Sequence, residues 1–176
     1  SVSSNFVFKI VGDIFNFFLL KVPPYKILSS FLYRLRIFTV DEYCFFSNLD
    51  KLSGFVNLAG YLQGLSSIEK TTSKEFDDVI NLNLKGAFLV AKQALKLLRV
   101  NGGSMVNVVS GLASNVRPHY GAYGASKAGL INLTKTLALE EAPKVRVNAV
   151  GPSAVDTAFL RGGTGRSDEN EPISLN

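Results

Sequence analysis

The sequence is poor in the residues that hold metals or covalent staples. It contains one cysteine, Cys44, and one histidine, His119. A single cysteine excludes an internal disulfide framework and a cysteine-based zinc site, and it fits a reducing, cytoplasmic compartment. A single histidine excludes a histidine metal cluster. His119 reads as a loop residue with no special role. Charge is thinly spread: the formal net charge is +5, with no long run of one sign and no basic stripe interleaved with aromatics. That pattern describes a solvated surface, and no nucleic-acid partner is expected. Long apolar runs are missing as well. The stretch 6–20 is interrupted by Lys9 and Asp13, and it falls short of the roughly 20 apolar residues of a membrane span. No basic start and no small-residue cleavage site frame it as a secretion signal.

Glycine is scarce where it would matter most. Residues 1–50 hold most of the phenylalanines but a single glycine, Gly12. Hence no strand, Gly-rich turn and helix of the kind that cradles a pyrophosphate precedes residue 57. Residues 1–50 read as a divergent aromatic-rich segment, and an interfacial helix there is an alternative.

What remains is ordinary globular material. The chain has 176 residues, 47% hydrophobic and 19% charged, enough for one domain with a buried core. From residue 53 the pattern becomes regular. Gly54–Asn57 reads as a short buried strand. Thr72 and Glu75 have capping-box spacing, and a helix over 73–99 follows, with an apolar set at Phe76, Val79, Ile80, Leu84, Phe88, Ala91, Ala94 and Leu98. Asn101, Gly102 and Gly103 end it. Met105–Val109 is a second strand, Tyr123–Glu140 a helix, and Val145–Val150 a third strand stopped by Pro152. A polar tail occupies 167–176. This alternation predicts an α/β fold with a parallel sheet and right-handed crossovers. Strands this apolar predict a sheet covered on both faces, with ligands beyond the strands' carboxyl ends.

One constellation carries chemistry. Tyr123 and Lys127 are one helical turn apart on one face. An ammonium beside a phenol favours the phenolate, so Lys127 is expected to lower the Tyr123 pKa. Ser110 ends the second strand, where its hydroxyl can donate to a substrate carbonyl oxygen. Asn83 lies inside a helix, where asparagine is a poor former unless its side chain has a task. Asn57, Ala59 and Gly60 place small residues at a strand end. Each also has a plain structural reading: Asn57 and Asn107 tie strand ends, Ser110 caps a turn, and Thr157 caps a short helix.

These residues resemble the short-chain dehydrogenase/reductase family. Asn57-Leu58-Ala59-Gly60 is similar to its Asn-Asn-Ala-Gly motif. The run 81–86 resembles the segment with its catalytic asparagine, and 106–110 the strand ending in its catalytic serine. Tyr123-Gly124-Ala125-Ser126-Lys127 matches its Tyr-x-x-x-Lys motif. The run 145–152 resembles the strand before its Pro-Gly motif, here Pro152-Ser153. The resemblance covers about residues 49–166 and is nearest in character to 3-oxoacyl-carrier-protein reductases.

That resemblance implies a domain over 51–166: a partial doubly wound, Rossmann-like parallel sheet lacking the first Gly-rich βαβ unit and the last strand, as in a chain truncated at both ends. It implies NAD(P) as cofactor, NADP slightly preferred, and a small carbonyl or alcohol substrate. Tyr123 would exchange the proton, and Lys127 would lower its pKa and bind the nicotinamide ribose. Ser110 would orient the substrate oxygen, and Asn83 would hold a relay water. Asn57, Ala59 and Gly60 would line the adenosine side, while Pro152 and Thr157 would meet the nicotinamide end. Helices 73–99 and 122–141 would support a homo-oligomer. Two readings compete with the oxidoreductase: a catalytically idle remnant that keeps only a helix-mediated association surface, and a membrane-surface protein held by the aromatic N-terminal segment.

Overall fold

The structure, a computed structural model, describes residues 49–155. Cys44, Thr157, the glycine cluster at 162–165, the tail and the aromatic segment up to residue 48 lie outside the described residues. The described elements run β1 (Gly54–Asn57), α1 (Ser73–Ile80), a π-helical segment (Asn81–Gly86), α2 (Ala87–Leu98), β2 (Ser104–Val108), a 3-10 turn (Gly111–Ala113), α3 (Gly121–Glu141) and β3 (Arg146–Val150). The strands form one parallel sheet in the order β1-β2-β3, with Asn57 beside Asn107 and Asn107 beside Ala149.

Local chemistry sets the helix ends. Thr72 caps α1: its hydroxyl accepts from the Glu75 amide at 3.2 Å while the Glu75 carboxylate accepts from the Thr72 amide at 2.8 Å, the expected capping box. After α2 the chain turns through Gly102 with φ of +70°, a left-handed conformation that glycine adopts without strain.

The helix over 73–99 departs from the sequence expectation in its interior. Between Asn81 and Gly86 it widens into π turns, which shifts the phase of the buried stripe. In α2 the buried side chains are Ala87, Ala91, Ala94, Leu95 and Leu98. Phe76 and Phe88, both placed on the apolar face by spacing alone, are 44% and 48% exposed. Gly129 of α3 meets the widened segment: a Cβ there would lie 2.9 Å from Leu84 Cδ2.

Both helical crossovers cover the same face of the sheet. Phe55, Met105 and Val147 from the three strands pack in one cluster with Ala91, Ala94, Leu95 and Leu98 of α2 and Leu137 of α3. A sheet covered on both faces was the expectation. Among the described residues the helices cover one face, and Arg146, Asn148 and Val150 on the other are exposed. The reason is topological: right-handed crossovers that step in one direction along a sheet put successive helices on the same side. An ion pair between Arg99 and Glu141, with Arg99 Nε donating at 2.7 Å, joins the C-terminal ends of α2 and α3. No helix among the described residues is long and apolar enough to cross a membrane.

Candidate active site

The candidate residues gather at the carboxyl ends of the strands, where parallel α/β sheets bind ligands. Past Val108 the edge of β2 stays tied to β3, with the Val109 amide donating to Val150 O at 2.8 Å and the Gly111 amide to Pro152 O at 2.9 Å. Pro152 is thereby fixed beside Ser110. Ser110 is extended, with φ of −158°, and its hydroxyl accepts from the Leu112 amide at 3.2 Å. The turn-capping reading of Ser110 thus holds, and it does not exhaust the residue. Its side chain also hydrogen-bonds the Tyr123 hydroxyl. One donor capacity and two lone pairs allow both bonds.

Tyr123 sits in the first turn of α3 and Lys127 one turn on, and both are buried. Close approach of α3 to the Ser110 turn depends on Gly124, where a Cβ would lie 3.3 Å from the Leu112 carbonyl. Lys127 Nζ donates to the carbonyl of Val108 at 3.0 Å and lies 5.8 Å from the Tyr123 ring centroid. Burial pushes the Lys127 pKa down to about 8, because an apolar surround disfavours the ammonium.

The electrostatics correct one expectation. The Tyr123 pKa is raised, not lowered: burial dominates, the Ser110 hydrogen bond opposes it, and the Tyr120 charge adds a further rise. Lys127 is not among the causes: with its own pKa near 8, it has lost its charge before the phenol ionises. The phenol therefore keeps its proton at neutral pH.

Asn83 and Asn57 hold the loop that leaves β1. Asn83 is 1% exposed. Its Oδ1 accepts from the Tyr61 amide at 2.7 Å, and its Nδ2 donates to Tyr61 O at 2.9 Å and Ser126 Oγ at 3.0 Å. Both side-chain donors are thus engaged by protein. Asn57 Oδ1 accepts from the Ala59 amide at 3.3 Å, and Asn57 Nδ2 donates to Asn107 Oδ1 at 3.2 Å. Asn57 and Asn107 therefore tie strand ends, as their plain reading holds, and also pin the Ala59–Gly60 turn. Residues that the sequence reading passed over are Ser126 and Thr134, both buried on α3. The available signal was a small hydroxyl on the buried face of a helix, where it must find a partner.

Two hydroxyls converge beside a buried amine, at a strand end reached through the half-buried Ser110. Such a group can bind a carbonyl or hydroxyl oxygen and pass a proton to or from it. The described donors, Lys127 Nζ at the end of β2 and the Ser110 and Tyr123 hydroxyls beside it, suit a hydroxyl-bearing group such as the ribose of a dinucleotide. A Gly-rich pyrophosphate cradle is not among the described residues.

Comparison with known proteins agrees with this geometry. The family model described as enoyl-(acyl carrier protein) reductase matches residues 45–173. Levodione reductase of Leifsonia aquatica is 32% identical over 124 residues, covering 69% of this chain and 46% of that protein. The 3-ketoacyl-(acyl-carrier-protein) reductase of Brucella melitensis, solved with NADH, superposes with a TM-score of 0.61 at 32% identity, over 65% of this chain and 50% of that one. A short-chain dehydrogenase of Shigella flexneri, solved with NADP, gives 0.62 at 28% identity, over 68% and 50%. The chain spans about half the length of the proteins it matches, 46% and 43% of the first two curated relatives. With the family model matched over most of its length, the chain belongs to the short-chain dehydrogenase/reductase family.

Proposed function

We propose that the chain carries the catalytic portion of an NAD(P)-dependent oxidoreductase that acts on a small carbonyl compound or secondary alcohol, with NADP slightly preferred on family resemblance. The observation that carries this reading is the hydrogen bond between Ser110 and Tyr123 at the end of β2, with buried Lys127 one turn away. The nicotinamide, when bound, supplies or takes up the hydride. The chain's own residues do the rest. Ser110 orients the substrate oxygen. Tyr123, protonated at neutral pH, donates to that oxygen in reduction and becomes the phenolate; in oxidation it is the phenolate form that accepts the proton from the substrate hydroxyl. Lys127 holds the ribose, Asn57, Ala59 and Gly60 border the adenosine side, and Pro152 and Thr157 the nicotinamide end. Asn83, with both side-chain donors engaged by Tyr61 and Ser126, keeps the loop in place, which leaves the expected relay water without support from its side-chain donors.

Pairing of two copies through 73–99 and 122–141 belongs to the same proposal. Phe76 and Phe88 on the first helix and Leu139 on α3, 83% exposed, leave apolar surface on those elements, of the kind that marks association sites. Titration of the chain with NADPH and NADH, followed by nucleotide fluorescence, tests the reading. Saturable binding supports it. No binding at millimolar nucleotide by a folded chain would leave the idle remnant as the better description.

A further inference from the structure

Two chains of buried side-chain hydrogen bonds start on α3 and end on the loop that leaves β1. In the first, Thr134 Oγ1 donates to its own helix at Leu130 O, 2.7 Å away, and accepts from Asn107 Nδ2 at 2.9 Å. Asn107 Oδ1 then accepts from Asn57 Nδ2, and Asn57 Oδ1 from the Ala59 amide. In the second, Ser126 Oγ donates to Tyr123 O at 2.7 Å and accepts from Asn83 Nδ2 at 3.0 Å, and Asn83 Oδ1 accepts from the Tyr61 amide. Thr134, Asn107, Asn57, Ser126 and Asn83 are all at most 3% exposed.

The polarity of each chain is dictated at its helical end, and in the second chain the Tyr61 carbonyl, which accepts from Asn83 Nδ2 at 2.9 Å, holds the same orientation from the loop end. A helix carbonyl can only accept, so the threonine or serine hydroxyl must donate to it and turn a lone pair outward. That lone pair selects the amide nitrogen of the asparagine, which fixes the asparagine's orientation and presents its oxygen to the next donor. In the longer chain the choice passes through two asparagines before it reaches the Ala59 amide. Reversal anywhere would set two donors or two acceptors face to face in the interior, at the cost of an unsatisfied polar group.

We infer that Ser126 and Thr134 are positioning residues that lock the Ala59–Tyr61 turn in register with the helix carrying Tyr123 and Lys127, Thr134 acting on Ala59 and Ser126 on Tyr61. The two relays grip the turn on either side of Gly60. This rests on the proposed function only in taking that turn as the cofactor's border; the hydrogen-bond relay stands independently.

Amide hydrogen exchange resolved by NMR on the full chain tests it. Thr134→Val keeps the shape and removes the hydroxyl that accepts from Asn107 Nδ2, and it should speed exchange at the Ala59 amide by about tenfold, the worth of one hydrogen bond, while Tyr61 is little changed. Ser126→Ala should do the reverse. Thr134→Ser should restore the wild-type rate at Ala59. Equal acceleration at both amides and across the core, or no change at either, overturns the inference. NADPH titration of the same variants is read separately. Weaker binding by Thr134→Val, recovered in Thr134→Ser, places the relay in cofactor affinity. Absence of binding by the wild-type chain defeats the oxidoreductase reading and leaves the exchange result to decide the relay.

Discussion

Lys127 Nζ lies 3.0 Å from the carbonyl oxygen of Val108, so the buried ammonium is anchored to the last residue of β2. The anchor holds the side chain across the end of the sheet and over the ring face of Tyr123. It satisfies one ammonium proton and leaves the charge in a poorly solvated place. A residue kept for packing alone would be better replaced by an aliphatic one.

That cost is measurable as a pH dependence. The Lys127 pKa falls from 10.5 in the unfolded chain to about 8 in the fold. Below pH 8 both states are protonated and the folded state bears the full penalty. Between pH 8 and 10.5 the native state sheds its proton first, so stability rises with pH. Lys127→Met is expected to stabilise the chain at pH 7 by about 1–3 kcal/mol, after allowance for the lost bond to Val108. Its advantage should shrink as pH approaches 10. Urea unfolding of both proteins at pH 7 and 9.5 gives the comparison, and a destabilised variant at pH 7 would refute this account.

Tyr123 should titrate above the ordinary tyrosine range, because burial outweighs the Ser110 hydrogen bond. Removing that bond with Ser110→Ala should move the titration higher still. Difference absorbance of the phenolate, with Tyr123→Phe as the reference, isolates this one tyrosine. The sign for stability follows: with the folded pKa raised, the unfolded chain loses its phenol proton first, so stability that is full below about pH 10, where an unfolded tyrosine ionises, falls as pH rises from there through the folded pKa.

Much of the site was legible in the sequence. Strand β1 falls on Gly54–Asn57 as read, and the capping box, the glycine turn and the parallel order follow from local residue choice. The turn of separation between Tyr123 and Lys127 was legible for the same reason. The sign of the Tyr123 shift was not, because spacing tells which side chains are neighbours but not which way a lysine terminus points or how much solvent remains. The π turns at Asn81–Gly86 were hidden too. Asn83 within them bonds Tyr61 and Ser126, partners 22 and 43 residues away, and helical periodicity is blind to both.

Two glycines should respond oppositely to alanine. At Gly103 a Cβ would lie 2.6 Å from Leu98 Cδ2 and 3.0 Å from the carbonyls of Leu52 and Ser53. The leucine can move, but the two backbone oxygens belong to the strand approach and cannot. Gly103→Ala should destabilise by about 1–3 kcal/mol. At Gly86 the nearest atom would be Asn81 O at 3.4 Å, and the residue has a helical φ of −59°. Gly86→Ala should therefore stabilise by about 0.5–1 kcal/mol. Thermal unfolding of the two variants beside the parent chain checks both signs.

Tyr123→Phe separates chemistry from structure. The phenol is buried mostly through its ring, which phenylalanine keeps, and Ser110 retains its bond from the Leu112 amide when the hydroxyl is lost. Little change in unfolding midpoint is expected. Reductase turnover, measured as NADPH consumption with a simple ketone, should fall by about 10²–10⁴-fold, the usual contribution of a positioned acid. Nucleotide affinity should stay near the parent value, because Lys127 keeps its place on Val108. A variant with normal turnover would remove Tyr123 from the proton path and leave its bond to Ser110 as a contact of the fold. A variant that loses nucleotide affinity and turnover together would make the ring a part of the binding surface, with the proton supplied elsewhere.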